Sequence, residues 1–260
     1  MQTYKDIVVK KIEDGKMSLR EDLVIKEYPL TIFLNGEEFI TLMCTPDSLY
    51  YLVLGFLSSQ GFIESKKDIG SIKINEESGI AHVEINRNNL LTCKFYGKGS
   101  ITTGGGKEIS FYSIIDALKT KKIYNRFEVS KEYILKISSE FNKRSELFIK
   151  TGGVHSCLLC NKREVLIFHE DVGRHNAMDK VIGEAFIKDI NLDDKIIFTS
   201  GRMSSEMLLK SGKARIPIVV SRSAPTDLAV DIARELGITL LGFARGKKMT
   251  VYSHGNRILI

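Results

Sequence analysis

The sequence predicts an α/β protein in two parts: a smaller N-terminal α+β domain over residues 1–107 and a three-layer α/β domain over residues 108–260. Three observations predict it. Short apolar runs bounded by turn dipeptides crowd the first hundred residues. Beyond residue 108, short apolar runs alternate with helical stretches, the pattern of strands joined by crossover helices in a largely parallel, helix-covered sheet. Composition supports both parts: 43% hydrophobic and 27% charged residues in a chain of 260 bury a core without disulfide staples, which excludes disordered and collagen-like readings.

In chain order, Tyr28–Leu34 and Glu38–Met43 flank Asn35-Gly36, a hairpin turn dipeptide. Thr45-Pro46-Asp47 opens an apolar helix that Gly61 ends, with Thr45 or Asp47 as its cap. Ser71–Asn75, Ile80–Asn86 and Leu90–Tyr96 read as an antiparallel meander. Residues 97–107 hold five glycines in eleven positions, which suits either an inter-domain connection or a mobile, anion-binding loop. Glu108 after Lys107 rules out a Walker loop. Ile109–Leu118 and Val129–Phe141 read as amphipathic helices. Strands then alternate with helices: Val165–Phe168 before Arg174–Ile187, Ile196–Thr199 before Ser204–Lys210, and Ile218–Ser221 before Pro225–Leu236. Strands at Thr239–Phe243 and Thr250–Tyr252 finish the chain. Helix 225–236 shows a core stripe of Leu228, Ile232 and Leu236, and Gly237 closes it.

Charge and cysteine content narrow the setting. An excess of 38 Lys+Arg over 32 Asp+Glu, net +6, permits an anionic partner without requiring one. Four cysteines, no apolar leader in the first residues and no apolar run long enough to span a bilayer lead to the expectation of a reduced, cytoplasmic protein without membrane attachment. Its cysteines are then thiols, ligands or nucleophiles rather than disulfides.

Chemistry-bearing residues cluster just past the predicted strand ends. The clusters are Thr151–Cys160, His169–Lys180, Thr199–Met207, Ser221–Asp227 and Phe243–Lys248. Sites in α/β sheets form at carboxyl strand ends. Four clusters carry an arginine (Arg174, Arg202, Arg222, Arg245), and a guanidinium fork beside glycine-rich turns suits phosphate. His175 and Asp179 share a helix face at i and i+4, either as an ordinary intrahelical pair or as an acid–base pair. Cys157-Leu158-Leu159-Cys160 admits three readings: buried core thiols, a sulfur-carrying thiolate, or zinc ligands together with His155.

The uninterrupted run Glu170-Asp171-Val172-Gly173-Arg174-His175-Asn176-Ala177-Met178-Asp179-Lys180 resembles the signature of the formate dehydrogenase accessory sulfurtransferases, FdhD. Thr-Gly-Gly-Val-His at 151–155, Ser-Gly-Arg-Met-Ser-Ser-Glu-Met at 200–207, Ser-Arg-Ser-Ala-Pro-Thr at 221–226 and Gly-Phe-Ala-Arg-Gly at 242–246 are similar to the same family, in order, over roughly residues 20–260. The resemblance implies a cytoplasmic homodimer whose C-terminal domain is similar to the cytidine-deaminase fold. It implies partners too: a cysteine desulfurase that donates persulfide sulfur, and formate dehydrogenase as beneficiary. The sulfur acceptor it implies is the molybdenum or tungsten bis(molybdopterin guanine dinucleotide) cofactor, of which GDP is a partial mimic, with no permanently bound metal. The implied cofactor site takes Phe243, Ala244, Arg245, Gly246, Lys247 and Lys248, with Gly152, Gly153, His155, Asp171, Gly173, Arg174, His175, Asp179, Ser200, Gly201, Arg202 and Arg222.

One departure stands out. The family's inter-domain Cys-Gly-x-Cys-Gly loop corresponds here to Thr102-Thr103-Gly104-Gly105-Gly106-Lys107, with Thr102 and Gly105 in the cysteine places. Sulfur then travels on Cys157 or Cys160, the catalytic candidates, or on Cys93; alternatively the protein carries the cofactor without relaying sulfur. Zinc deaminase chemistry is set aside, because His155-Ser156-Cys157 lacks the His-x-Glu proton shuttle and no proline precedes Cys157. A nucleic-acid module is set aside for want of a continuous basic helix or an aromatic RNA-binding motif.

Overall fold

The computed structural model describes residues 1–86 and 120–260. Cys93, the strand expected at Leu90–Tyr96, the glycine-rich stretch with Thr102 and Gly105, and the helix expected at Ile109–Leu118 lie outside them.

The chain begins with a two-stranded ribbon, β1 (Tyr4–Glu13) and β2 (Lys16–Ile25), turned through Asp14-Gly15. Sequence reading passed over it. Lysines and acids interrupt its apolar residues, so neither strand shows a simple alternation. A second hairpin follows, β3 (Tyr28–Leu34) and β4 (Glu37–Cys44), with Asn35 and Gly36 at φ 49° and 86°. Positive φ at both positions is what a two-residue hairpin turn needs, so this dipeptide carried its prediction.

Helix α1 (Leu49–Gln60) comes next, closed by left-handed Gly61. Its N-cap is Ser48, in left-handed geometry with no capping side-chain bond, rather than Thr45 or Asp47. Thr45 is engaged elsewhere, as shown below. Strands β5 (Ile69–Asn75) and β6 (Ile80–Ile85) complete a sheet ordered β4-β3-β6-β5, in which β3 and β6 run parallel. Helix α1 is apolar almost all round, as a helix buried between layers must be.

Six of the remaining eight strands build one sheet. After β7 (Val129–Ser130) come α2 (Lys131–Glu140) and α3 (Glu146–Thr151). Ser130 caps α2 by accepting from the Tyr133 amide. Then follow β8 (His155–Cys160), β9 (Val165–Asp171), α4 (Arg174–Ile187), β10 (Ile196–Thr199), α5 (Ser205–Lys213), β11 (Ile218–Ser221), α6 (Asp227–Leu236), β12 (Thr239–Arg245), β13 (Lys248–Ser253) and β14 (Ile258–Leu259). The sheet order is β13-β12-β11-β10-β8-β9.

The parallel expectation holds only for β10-β11-β12. β8, β9 and β13 enter by hairpins, so their pairings β10–β8, β8–β9 and β12–β13 are antiparallel. Strand β8 falls within the Thr151–Cys160 cluster, whose polar start masks a strand buried from Ser156 to Cys160. Helices α4, α5 and α6 cover one face and α2 the other, giving three layers. Ile232 and Leu236 of α6 are buried as predicted, whereas Leu228 lies outward, 40% exposed.

Helices α1 and α4 join the two sheets. They touch at glycine: a Cβ on Gly55 would sit 1.7 Å from the Asp179 carbonyl oxygen, and one on Gly183 would sit 2.0 Å from that of Tyr51. This contact fixes α4, and hence the start of α4 at Arg174, against the N-terminal sheet.

Candidate functional site

Because β8 is antiparallel to both β9 and β10, its amino end shares an edge with the carboxyl ends of β9, β10, β11 and β12. All five polar clusters therefore reach one edge. His155 pairs with Asp171, Cys157 with Thr199, and Thr199 with Ser221 across that rim.

A cavity of about 500 Å³ opens there, lined by Ser145, Phe148, Gly152, Gly153, Val154, His155, Ser156, Val172, Ser200, Arg222 and Arg245. Six are residues the sequence singled out: Gly152, Gly153, His155, Ser200, Arg222 and Arg245. Arg222 and Arg245 stand together. Arg222 Nη1 donates to the Ser138 carbonyl (2.7 Å), and Arg245 Nε donates to the Arg222 carbonyl (2.6 Å). Among the described residues neither is paired with a carboxylate. Burial, and then the charge of Arg245, lowers the pKa of Arg222, so the site concentrates uncompensated positive charge.

His155 Nδ1 lies 3.2 Å from Ser200 Oγ, which accepts the Ser156 amide. Burial, and then the neighbouring Arg174, lowers its pKa and keeps the imidazole neutral. Arg174 lies over Gly201, where an added Cβ would come 3.0 Å from the arginine Cβ and 3.4 Å from His155 Nδ1. Arg202 is exposed and outside the cavity lining. At the β12–β13 hairpin tip, Phe243, Gly246, Lys247 and Lys248 are exposed, while Ala244 is buried and its carbonyl accepts from Ser138 Oγ.

Sequence reading missed Ser145 and Phe148 on the cavity wall, and placed Val154 and Ser156 in a polar cluster without assigning them to the site. Helix α3 is too short to show a period. Its signal was an acid elsewhere: Glu170 accepts the Leu147 amide (3.0 Å) and the Phe148 amide (3.1 Å), capping the N-terminus of α3. The buried Glu170 thus sets Phe148 on the cavity wall, with 42% of the residue exposed.

Behind the wall lies a buried charge network. Asp171 Oδ2 meets Lys180 Nζ at 2.7 Å and the Thr45 amide at 3.0 Å. Its Oδ1 accepts from the Gly173 amide and from Asn176 Nδ2. Lys180 also donates to the carbonyls of Thr45 and Glu170, and Thr45 Oγ1 accepts the Val172 amide. Asp179 pairs with Lys210 and accepts from Ser59 Oγ. His175 faces Glu206 instead, 3.7 Å away. The acid–base reading of His175 with Asp179 is therefore corrected: each has another partner, and both lie behind the cavity. Asp171 positions the turn that bears Gly173 and Arg174, while Asp179 ties α4 to α5 through Lys210 and to α1 through Ser59.

The two cysteine candidates are 0% exposed. An odd spacing of three on a strand sends side chains to opposite faces. Cys157 packs under α4 and α5, and Cys160 packs on the α2 side. They cannot act as a dithiol or bind one metal together. Burial pushes both thiols up, Cys160 to about 12 and Cys157 further. Cys44 is buried as well, also at about 12. Among the described residues, no group of three or more His, Cys, Asp or Glu is placed to hold a metal ion.

Residues 25–259 match the FdhD/NarQ family. The chain is 40% identical over 254 residues to the sulfur carrier protein FdhD of Bacillus pumilus, covering 98% of this chain and 97% of that one. It is 41% identical over 246 residues to the protein of that name from Bacillus subtilis, covering 95% and 94%. The crystal structure of a protein from Desulfotalea psychrophila, assigned as a formate dehydrogenase accessory protein, superposes with a TM-score of 0.82 at 27% identity, over 99% of this chain and all of that one. With its signature run at the turn into α4 and its polar clusters on one rim, the chain belongs to the FdhD/NarQ family.

Proposed function

We propose that the protein is a sulfur-transfer accessory factor for formate dehydrogenase, and that the rim cavity receives the guanine-nucleotide arm of the molybdenum or tungsten bis(molybdopterin guanine dinucleotide) cofactor as substrate. The cavity is the observation that carries this reading. Its volume of about 500 Å³ falls in the range of small-molecule sites. Arg222 and Arg245 offer two uncompensated guanidinium groups for a pyrophosphate, and Phe148 offers a ring face for a base. The remaining parts of the reading are a cysteine desulfurase as donor, a cytoplasmic homodimer and a C-terminal domain like that of cytidine deaminases. Among the described residues no helix is long and apolar enough to cross a membrane.

Sulfur relay needs an acceptor thiolate that attacks the outer sulfur of the donor persulfide and leaves the donor as a thiolate. The three described cysteines are poorly suited, being buried and held protonated. This favours two alternatives: relay on Cys93, or the second reading, a non-catalytic carrier of the same cofactor.

Two measurements test these points. Calorimetric titration with GDP should show binding that Arg222→Glu and Arg245→Glu each weaken at least tenfold; unchanged affinity in both removes the pocket assignment. Mass spectrometry after loading by a desulfurase and cysteine should place persulfide on Cys93. Persulfide on none of the four cysteines leaves the carrier reading.

A further inference from the structure

We infer that the far end of β12 carries a second anion site, which takes the phosphate and the base of a nucleoside monophosphate. A cavity of about 380 Å³ opens where β12 begins, beside Gly237, the residue that closes α6. It shares no lining residue with the rim cavity. Strand β12 runs from one to the other, about 20 Å at about 3.4 Å per residue.

The floor of this cavity is Arg257, which is 4% exposed. Its Nε donates to Asn125 Oδ1 (3.1 Å), its Nη1 to the Gly237 carbonyl (2.8 Å) and to Thr239 Oγ1 (3.2 Å), and its Nη2 to the Ile123 carbonyl (3.0 Å). All four acceptors are neutral. They take four of the five N–H groups of a guanidinium. Among the described residues no carboxylate pairs with Arg257, and burial alone lowers its pKa. A buried cation ordinarily has a full counter-charge, because leaving water without one is costly. The carboxyl end of α6 supplies only about half a negative charge. The floor therefore keeps a residual positive charge and one uncommitted N–H.

The mouth adds further charge and a ring. Lys122 and Arg234 line it with one acid among the described residues, Glu235, so together with Arg257 the lining carries a net +2. Lys122 holds Glu235 at 2.9 Å. Arg234 Nη1 lies 3.6 Å from Asp231 Oδ1, and an ion pair this exposed contributes little. His254 Nε2 donates to the Arg234 carbonyl (2.8 Å) and seats that backbone at the cavity. Tyr124, also on the lining, is 84% exposed and offers a ring face. A phosphate monoester brings nearly two negative charges and suits a guanidinium fork, and a planar base suits the tyrosine ring. The volume lies near the lower limit of small-molecule sites, which favours a mononucleotide over a dinucleotide.

Calorimetric titration of the full chain with AMP tests this, in an Arg222→Glu/Arg245→Glu background that silences the rim cavity. Saturable binding is expected, and Arg257→Lys should weaken it at least tenfold. Should that variant unfold, the exposed positions serve instead: Arg234→Gln and Tyr124→Ala should each weaken binding several-fold with an unchanged thermal melt. Inorganic phosphate should compete, and adenosine should not bind. No saturable binding of AMP overturns the site. Binding that all three substitutions leave intact overturns its assignment to this cavity. Adenosine binding as tightly as AMP overturns the phosphate contact, and ribose 5-phosphate binding as tightly as AMP overturns the base contact. The GDP titration of the rim cavity is a separate measurement, so either site can fail without the other.

Discussion

Replacing Asp171 by Asn should be among the most damaging single changes in the protein, although it removes no heavy atom. Both side chains of the Asp171–Lys180 pair are 0% exposed. The carboxylate accepts four donors, from Lys180, Asn176 and the amides of Thr45 and Gly173. An amide keeps one acceptor oxygen and turns an NH₂ group toward two of those donors. Lys180 is left with the Thr45 and Glu170 carbonyls and no counter-charge. Breaking a buried pair from one side costs about 3–5 kcal/mol. At about 2–4 °C per kcal/mol for a chain of this size, the Tm should fall by roughly 6–20 °C. Differential scanning calorimetry on Asp171→Asn, Lys180→Met and the double variant measures it. The double variant removes both charges and should recover part of the loss, with a coupling of at least about 1 kcal/mol. A single variant within about 2 °C of wild type, or a coupling below about 0.5 kcal/mol, would refute the reasoning.

Three further outcomes follow from the same geometry. His155, His169 and His175 all have lowered pKa values, in each case first through burial, so the unfolded chain takes up protons that the folded one refuses as pH falls through about 6.5. Stability should drop on acidification below neutrality, by up to about 1.4 kcal/mol per pH unit for each proton. Glu170, raised by burial, acts in the opposite sense but is one group against three; a flat or rising Tm from about pH 7 to about pH 5 contradicts the assignment. Gly55→Ala should force α1 off α4 and destabilise by about 3 kcal/mol, the upper end for overpacking, and a melt equal to wild type would show that the helices have room. In the native protein Cys44, Cys157 and Cys160 should resist iodoacetamide and react only after unfolding, so rapid native labelling of any of them would place it outside the core.

What the sequence made legible follows from where the physics is local. Asn35-Gly36 and Gly237 were readable because a positive φ restricts the residue at one position. Strands β10 and β11 were readable because a strand buried on both faces is a short unbroken apolar run. The rim was readable because Gly, Ser and Arg recur where such runs end. What escaped depends on partners far along the chain. Thr45 reads as a helix cap until Val172 and Asp171, more than 120 residues away, claim its hydroxyl and amide. Glu170 reads as one more acid in a polar run until its carboxylate caps α3 and sets the cavity wall.

Cys157-Leu158-Leu159-Cys160 shows how one such misreading redirects chemistry. In a loop or at a helix start, that spacing brings two sulfurs together, and a relay or a metal site follows. On a strand it separates them by the full thickness of the sheet, and the pairing Cys157–Thr199 fixes it as a strand. The deciding fact is the hydrogen-bonded partner β10, which begins some forty residues later. Thus the same arrangement that carries His155 to the cavity rim buries the thiols two and five residues beyond it.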